Sequence, residues 1–296
     1  MTPRLPPRSP RAYAQQVRGM AAKEALLSGV SVAELVERHY HRRLLARVFT
    51  SQGEDWVLEG GQSLLVRWPN NRHSTDIDLI SHRTTVEAAV ESLIYVHTRT
   101  AEIQDMDRPT RKIHFEARIG LQRMAGTSVD VVTAGERPRG SIITEPLPPA
   151  FASDCTTWPE VRMYPLEDVV SDKICALYTG YGAGGVGTST RYKDLVDLIL
   201  VAVKSTLPGE FTHRIVHLEA ERRRTTGTPV RFPDRFAAPG EDWTGGYAGA
   251  ARGVGALPSD LRTLDGAFAL ADAFITPLLR PAPPPGLWHP GERTWR

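Results

Sequence analysis

Two aspartates, Asp76 and Asp78, lie two positions apart in the segment from Gly60 to Ile80, and their spacing suits metal-dependent chemistry. Alternate residues of a strand point to the same face, so a strand here would direct both carboxylates to one side. Like charges held that close repel each other unless a cation lies between them. Mg²⁺ is the natural cation, because it prefers oxygen ligands and usually shares its site with substrate phosphates. The pair therefore indicates phosphoryl or nucleotidyl transfer.

A third carboxylate, Asp130, lies in the apolar run SVDVV. Its hydrophobic neighbours predict an inner strand, on which a charged side chain is costly unless it is paired or metal-bound. If this strand lies beside the one that carries Asp76 and Asp78, three carboxylates form a site for Mg²⁺, or for Mn²⁺ in its place, and suit a two-metal mechanism. The alternative is an edge strand on which Asp130 is solvated.

The glycine pair Gly60 and Gly61 lies between a predicted strand and a predicted helix. Glycines at such a junction permit close backbone approach, and the free N–H groups of a helix start can bind phosphate. Arg72, a cation close in sequence to the aspartates, is a further candidate for nucleotide binding. These residues predict a phosphate-binding turn next to the metal site.

Two later helical patterns, at 165–179 and 191–203, carry further charged candidates. Lys173 is either an ordinary lysine whose stem packs on an apolar face or a cation that neutralises triphosphate charge. Asp194 and Asp197 belong to an exposed acidic face with local ion pairs, or Asp194 orients Lys173 or a nucleotide hydroxyl. The run Arg222, Arg223, Arg224 is a solvated basic patch or a contact for an RNA phosphate backbone.

Composition limits the class of protein without deciding its chemistry. The 296 residues are 41% hydrophobic, enough for a substantial core, and the net charge of +2 shows no global excess for binding polyanions. Two cysteines support neither a disulfide framework nor a four-cysteine zinc site. The N-terminus lacks an apolar signal region, and no apolar run is long enough to cross a membrane. We therefore expect a cytoplasmic protein with no membrane partner.

The predicted elements describe an α/β (mixed α+β) fold with a mixed sheet and a mainly helical C-terminal region. Ser31 and Glu34 form a capping-box pattern at the start of one helix. The expected organisation is a flexible arm at 1–9, a core with N-terminal helices at 10–145, and a mainly helical domain at 146–296 that completes the active site. The pattern predicts helices at 12–27, 31–49, 62–68, 86–95, 165–179, 191–203 and 261–279, and strands at 55–59, 75–80, 112–119 and 127–132.

Five ordered pieces of this chain resemble the AbiEii/AbiGii toxin family of nucleotidyltransferases, within the DNA polymerase β-like superfamily. They span about half of the chain, and the mycobacterial MenT toxins are similar in length and layout. Gln62 stands where the family has a small hydroxyl residue, and Ser63 follows one place later. The pieces are VLEGGQSL (57–64), RHSTDIDLI (72–80), VDVV (129–132), PLEDVVSDKICAL (165–177) and RYKDLVDL (191–198).

The resemblance implies a polymerase β-like core and a toxin that transfers a nucleotide, of the pyrimidine type from CTP or UTP, to the 3′ acceptor end of tRNA. Such a product could not be aminoacylated, so translation would stop. The implied partners are tRNA, a nucleoside triphosphate and an antitoxin encoded nearby, and we expect a monomer. In the implied site, Asp76, Asp78 and Asp130 are the metal ligands and, with Lys173 and Asp194, the catalytic residues. The nucleotide-binding residues are Gly60, Gly61, Ser63, Arg72 and Lys173.

Two alternatives remain open from the sequence. One is transfer of a nucleotide to a protein or to a small-molecule hydroxyl. The other is a catalytically inactive module that binds a nucleotide or an antitoxin, against which the intact pair Asp76 and Asp78 argues.

Overall fold

The structure is a computed structural model, and it describes residues 9–82, 96–103, 110–119, 121–133, 138–152, 158–180, 189–240 and 242–296. The helix predicted at 86–95 lies outside these residues, and so does the arm predicted at 1–9 except for Ser9. No helix in the described residues is long and apolar enough to cross a membrane.

The chain folds into two compact units. The first, called the sheet unit below, comprises Met1–Pro69, His73–Arg137 and Ile142–Met163. The second, called the helical unit, comprises Asn70–Arg72, Pro138–Ser141 and Tyr164–Arg296. The main division therefore follows Met163, later than the boundary that the sequence predicts after residue 145.

The sheet unit contains a mixed seven-stranded sheet in the order β3-β4-β5-β2-β1-β7-β6. β2 is parallel to β5 and antiparallel to β1, while β4 is antiparallel to β5. The helices among its described residues are α1 (Pro10–Ser28), α2 (Val32–Gln52) and α3 (Gly60–Arg67), with a 3₁₀ turn at Gly53–Asp55. Its strands are β1 (Trp56–Glu59), β2 (Asp76–Ser81), β3 (Val96–Ile103), β4 (Thr110–Ile119), β5 (Gln122–Thr133), β6 (Ile143–Pro146) and β7 (Glu160–Met163).

Side-chain alternation fixes which face of this sheet is packed. Ile77 and Leu79 of β2 are fully buried in one apolar cluster with Val129 and Val131 of β5 and with Leu44 of α2. The intervening aspartates of β2 and β5 therefore face the opposite side of the sheet. α2 begins where the sequence predicts, because the Ser31 hydroxyl accepts a hydrogen bond of 3.2 Å from the Glu34 amide.

The helical unit confirms the prediction of a mainly helical C-terminal region. A short hairpin closes it, in which Trp288 pairs with Trp295 and both rings contact Phe274. The elements are α4 (Leu166–Tyr178), α5 (Tyr192–Lys204), α6 (Gly209–Thr225), α7 (Trp243–Ala251), a 3₁₀ turn at Ser259–Arg262, α8 (Leu264–Leu279), β8 (Trp288–His289) and β9 (Thr294–Trp295).

Candidate active site

The parallel pairing of β2 with β5 brings the predicted carboxylates onto one face of the sheet. Asp78 is directly opposite Asp130, and Asp76 is opposite Ser128. Residues in register on adjacent strands point the same way, so Asp76, Asp78 and Asp130 share the face that the apolar cluster leaves uncovered. All three are half-buried. The edge-strand alternative for Asp130 is wrong, because β5 lies inside the sheet between β4 and β2.

Lys112 joins this face and was missed by the sequence analysis. β4 places it opposite Asp130, and its Nζ lies 3.2 Å from Oδ1 of Asp76 and 3.2 Å from Oδ2 of Asp130. Burial raises the pKa of Asp130, and nearby Asp76 raises it further, so that the opposing effect of Lys112 does not restore the ordinary value. Burial alone would lower the pKa of Lys112, but the two carboxylates outweigh it and the pKa is raised. The alternation of Lys112 with buried Ile113 was the available signal, although the pairing register was needed to read it.

Asp78 contacts the glycine turn directly. Gly60 has φ of +64°, a conformation that L side chains rarely adopt, and a Cβ at this position would overlap Oδ2 of Asp78. Glycine at position 60 is therefore required twice, once by the backbone and once by the neighbouring carboxylate. α3 starts at Gly60, and the side chain of its N-cap residue, Glu59, makes no capping hydrogen bond.

The next residues of α3 point into the protein. Ser63 is fully buried and its hydroxyl donates a hydrogen bond of 2.8 Å to the Gly60 carbonyl. Gln62 is buried as well: its Nε2 donates to the Ser74 carbonyl at 2.8 Å and lies 3.0 Å from Nδ1 of His41. Gln62 thus ties α3 to α2 and to the loop before β2. Because the Ser63 hydroxyl is turned inward, the backbone amides of Gly60 and Gly61 are the candidates for phosphate contact at this end of α3.

The carboxylate face suits a divalent ion by the chemistry of its donors. Within the described residues, no three His, Cys, Asp or Glu side chains come together as a complete metal site. However, Oδ1 of Asp130 is buried, and no described residue donates a hydrogen bond to it. An orphaned carboxylate oxygen beside a second carboxylate fits Mg²⁺ or Mn²⁺, which prefer oxygen ligands.

The helical unit holds the other predicted residues in one buried ion cluster. Lys173 Nζ lies 2.7 Å from Asp194 and 2.8 Å from Asp197. Arg72 donates to the two carboxylate oxygens of Asp197 at 3.0 and 2.7 Å, so the pair is bidentate. The pairing of Lys173 with Asp194 agrees with the idea that Asp194 orients this lysine.

Asp197 is the residue of this cluster whose burial the sequence analysis missed. The expectation that it belongs to an exposed acidic face is wrong, because its side chain is 0% exposed. Burial by itself would raise the pKa of Asp197, but Lys173 and Arg72 outweigh it and the pKa is lowered. Asp194 and Asp197 raise the pKa of Lys173, although burial by itself would lower it. The cluster therefore keeps Lys173 and Asp197 charged.

The three arginines at the end of α6 differ in their environment. Arg222 and Arg223 bind the fully buried Glu219, at 2.6 and 2.9 Å, and only Arg224 is exposed, where it pairs with Glu221. Two of the three arginines are thus committed to the interior of the helical unit. The interpretation of the run as one solvated patch is wrong, and contact with an RNA phosphate backbone stays a prediction.

A comparison with family models places the chain in a known class. The model described as nucleotidyl transferase AbiEii toxin, type IV TA system, matches residues 43–270, most of the chain. The protein is therefore a nucleotidyltransferase. It belongs to the AbiEii toxin family, whose description as a toxin–antitoxin system implies an antitoxin partner.

Solved structures are similar at low sequence identity. The nucleotidyltransferase toxin MenT4 from Mycobacterium tuberculosis is 15% identical with a TM-score of 0.51, over 82% of this chain and 91% of that chain. This likeness supports the predicted fold. JHP933 from Helicobacter pylori is 14% identical with a TM-score of 0.38, over 64% of this chain and 76% of that chain. No protein with a curated description matches the sequence.

Proposed function

We propose that this nucleotidyltransferase acts as a Mg²⁺-dependent toxin that transfers a pyrimidine nucleotide, from CTP or UTP, to the 3′ acceptor end of tRNA. The observation that carries the catalytic part is the register that sets Asp78 beside Asp130, next to the glycine turn at Gly60. Family membership supports the toxin part, and the resemblance to the MenT toxins supports tRNA as the acceptor. A tRNA extended at this end cannot accept an amino acid, which would stop translation.

Each predicted site residue of the sheet unit has a definite role in this proposal. Asp76, Asp78 and Asp130 hold the divalent ion, and Asp130 also helps to activate the acceptor 3′-hydroxyl. Gly60 and Gly61 present backbone amides to a phosphate, and Ser63 holds their turn in shape through its bond to the Gly60 carbonyl. When bound, the ion neutralises triphosphate charge and lowers the pKa of the attacking hydroxyl.

The resemblance also implies cations among the nucleotide-binding residues. Lys173 and Arg72 compensate negative charge as pyrophosphate leaves. Asp194 orients Lys173 through the 2.7 Å bond, and Asp197 holds Arg72 and Lys173 together. We place the protein in the cytoplasm, where tRNA is found, as a monomer that a cognate antitoxin counteracts.

The test is incubation of the purified protein with tRNA, Mg²⁺ and each of the four labelled triphosphates in turn. We expect CTP or UTP alone to lengthen the tRNA 3′ end, and Asp78→Ala or Lys173→Ala to abolish the transfer. Lys193→Ala is the matched control, since Lys193 is an exposed lysine on α5 and should leave the transfer intact.

Three outcomes would overturn parts of this proposal. Full incorporation by Asp78→Ala or Lys173→Ala would contradict the site. Label in protein or in a small molecule instead of RNA would replace the acceptor. A protein that consumes no triphosphate with any acceptor would be an inactive binding module.

A further inference from the structure

The bridging position of Lys112 points to a role beyond charge neutralisation. We propose that Lys112 competes with the divalent ion for Asp76 and Asp130, so that the ion must displace the lysine and the lysine sets the metal affinity. This inference rests on the proposed function, because it takes these carboxylates as the metal ligands.

The geometry makes the two cations alternatives. Lys112 Nζ lies 3.2 Å from one oxygen of Asp76 and 3.2 Å from one oxygen of Asp130, and it thus links β2 to β5. A divalent ion held by the same two aspartates would need to lie between them as well. An ammonium group and an Mg²⁺ ion bound between the same two carboxylates would repel each other, so both cannot be bound there at once.

The side chain of Lys112 is able to leave. The Lys112 side chain is 25% exposed. The Asp197 side chain, which binds two cations in the helical unit, is by contrast fully buried. A lysine side chain has a flexible four-carbon stem and a strongly hydrated head, so it can turn toward water without unpacking the sheet. The apolar cluster is on the other face of β2 and β5, where Ile77 and Val129 are fully buried.

Asp130 provides a first point of contact for the incoming ion. Lys112 engages its Oδ2, while Oδ1 is buried with no hydrogen-bond donor among the described residues. An ion could therefore bind Oδ1 before the lysine leaves Oδ2. A purely structural ion pair would not need to leave an acceptor unsatisfied in this way, since unsatisfied buried acceptors are costly.

The experiment measures binding of Mn²⁺ alone to the full chain, by the loss of the electron paramagnetic resonance signal of the free ion, at fixed ionic strength and without nucleotide. Lys112→Met removes the ammonium and keeps the length of the side chain, and Lys112→Arg keeps the charge. Lys23→Met, at an exposed position of α1, controls for the loss of one positive charge elsewhere. Asp130→Asn tests the site itself. The rise in Tm on adding Mn²⁺ is recorded for every variant as a second measure of binding.

We expect Lys112→Met to bind Mn²⁺ about tenfold more tightly than the unaltered protein, and to show the larger rise in Tm. Lys112→Arg and Lys23→Met should bind within about twofold of the unaltered protein, and Asp130→Asn should lose binding. If Asp130→Asn loses binding but Lys112→Met binds equally or more weakly, the competition is wrong and the metal site stands. If Asp130→Asn binds Mn²⁺ unchanged, the metal site is wrong, and the inference falls with it.

Discussion

At the scale of single residues, the contact between Gly60 and Asp78 couples the glycine turn to the carboxylate face. The turn adopts φ of +64° at Gly60, and the Asp78 carboxylate fills the space that a Cβ would take. Any side chain at position 60 would therefore displace the Asp78 carboxylate. The glycine is therefore part of the geometry of Asp78 as well as of the start of α3.

This coupling predicts that Gly60→Ala lowers stability by at least about 1 kcal/mol, because an L residue in the left-handed region costs about 1–2 kcal/mol. The same substitution should abolish nucleotide transfer, because Asp78 must shift. Gly19→Ala is the matched control: Gly19 is exposed within α1 and a Cβ there meets nothing within 4 Å. That variant should be more stable by up to about 1 kcal/mol. Urea unfolding and the tRNA assay measure both effects. An active Gly60→Ala protein of normal stability would contradict the coupling.

At the scale of elements, α2 contains two histidines that the fold keeps neutral. His39 is stacked on Phe151, and Tyr13 Oη lies 2.9 Å from its Nε2. Burial, assisted by the nearby charge of Arg43, lowers the pKa of His39 to about 4. Burial likewise lowers the pKa of His41 to about 4. In an unfolded chain both would titrate near 6.5.

The sign of the pH effect follows from these pKa values. Between pH 6.5 and 4 the unfolded chain binds protons at His39 and His41 and the folded chain does not, so stability is complete above pH 6.5 and is lost as the pH falls toward 4. Each histidine contributes up to about 1.4 kcal/mol per pH unit in this window. His39→Phe, which keeps a ring next to Phe151, should remove about half of the two-histidine slope.

Urea unfolding at a series of pH values from 7.5 to 4.5 measures that slope. Tyr13→Phe is the control, because it removes the hydrogen bond to His39 but not the titrating ring. It should lower stability by a similar amount at every pH. An unchanged slope in His39→Phe would show that this histidine titrates normally in the folded protein.

Elements were easier to predict from the sequence than pairings. Period-two alternation marked β2 and β5, and the capping box marked the start of α2, because both signals are local. β3, β6 and β7 were not predicted. The bridging role of Lys112 depends on the register of three strands, and the burial of Asp197 depends on Arg72, far away in the chain. Contacts set by long-range packing leave no local pattern, so these two residues had to be found in the structure.

At the scale of the whole molecule, the chain passes between the two units five times. Two short segments, Asn70–Arg72 and Pro138–Ser141, belong to the helical unit although the sequence around them belongs to the sheet unit. Both are anchored by buried charges: Arg72 binds Asp197, and Arg139 binds Glu219 at 3.1 Å. The backbone amides of Arg139 and Gly140 also donate to Asp168. Because each segment continues directly into the sheet unit, we expect the two units to unfold together.

Glu219→Gln tests this expectation. Glu219 is fully buried and binds three arginines, Arg139, Arg222 and Arg223, so loss of its charge should cost about 3–5 kcal/mol. Hydrogen exchange in increasing urea, followed by mass spectrometry, reports separately on β2 in the sheet unit and on α5 in the helical unit. We expect both to lose protection at one lower midpoint, whereas Glu221→Gln, at the exposed partner of Arg224, should leave both midpoints unchanged. A lower midpoint for α5 alone would show that the two short segments do not couple the units, because β2 would then keep its protection after the helical unit has unfolded.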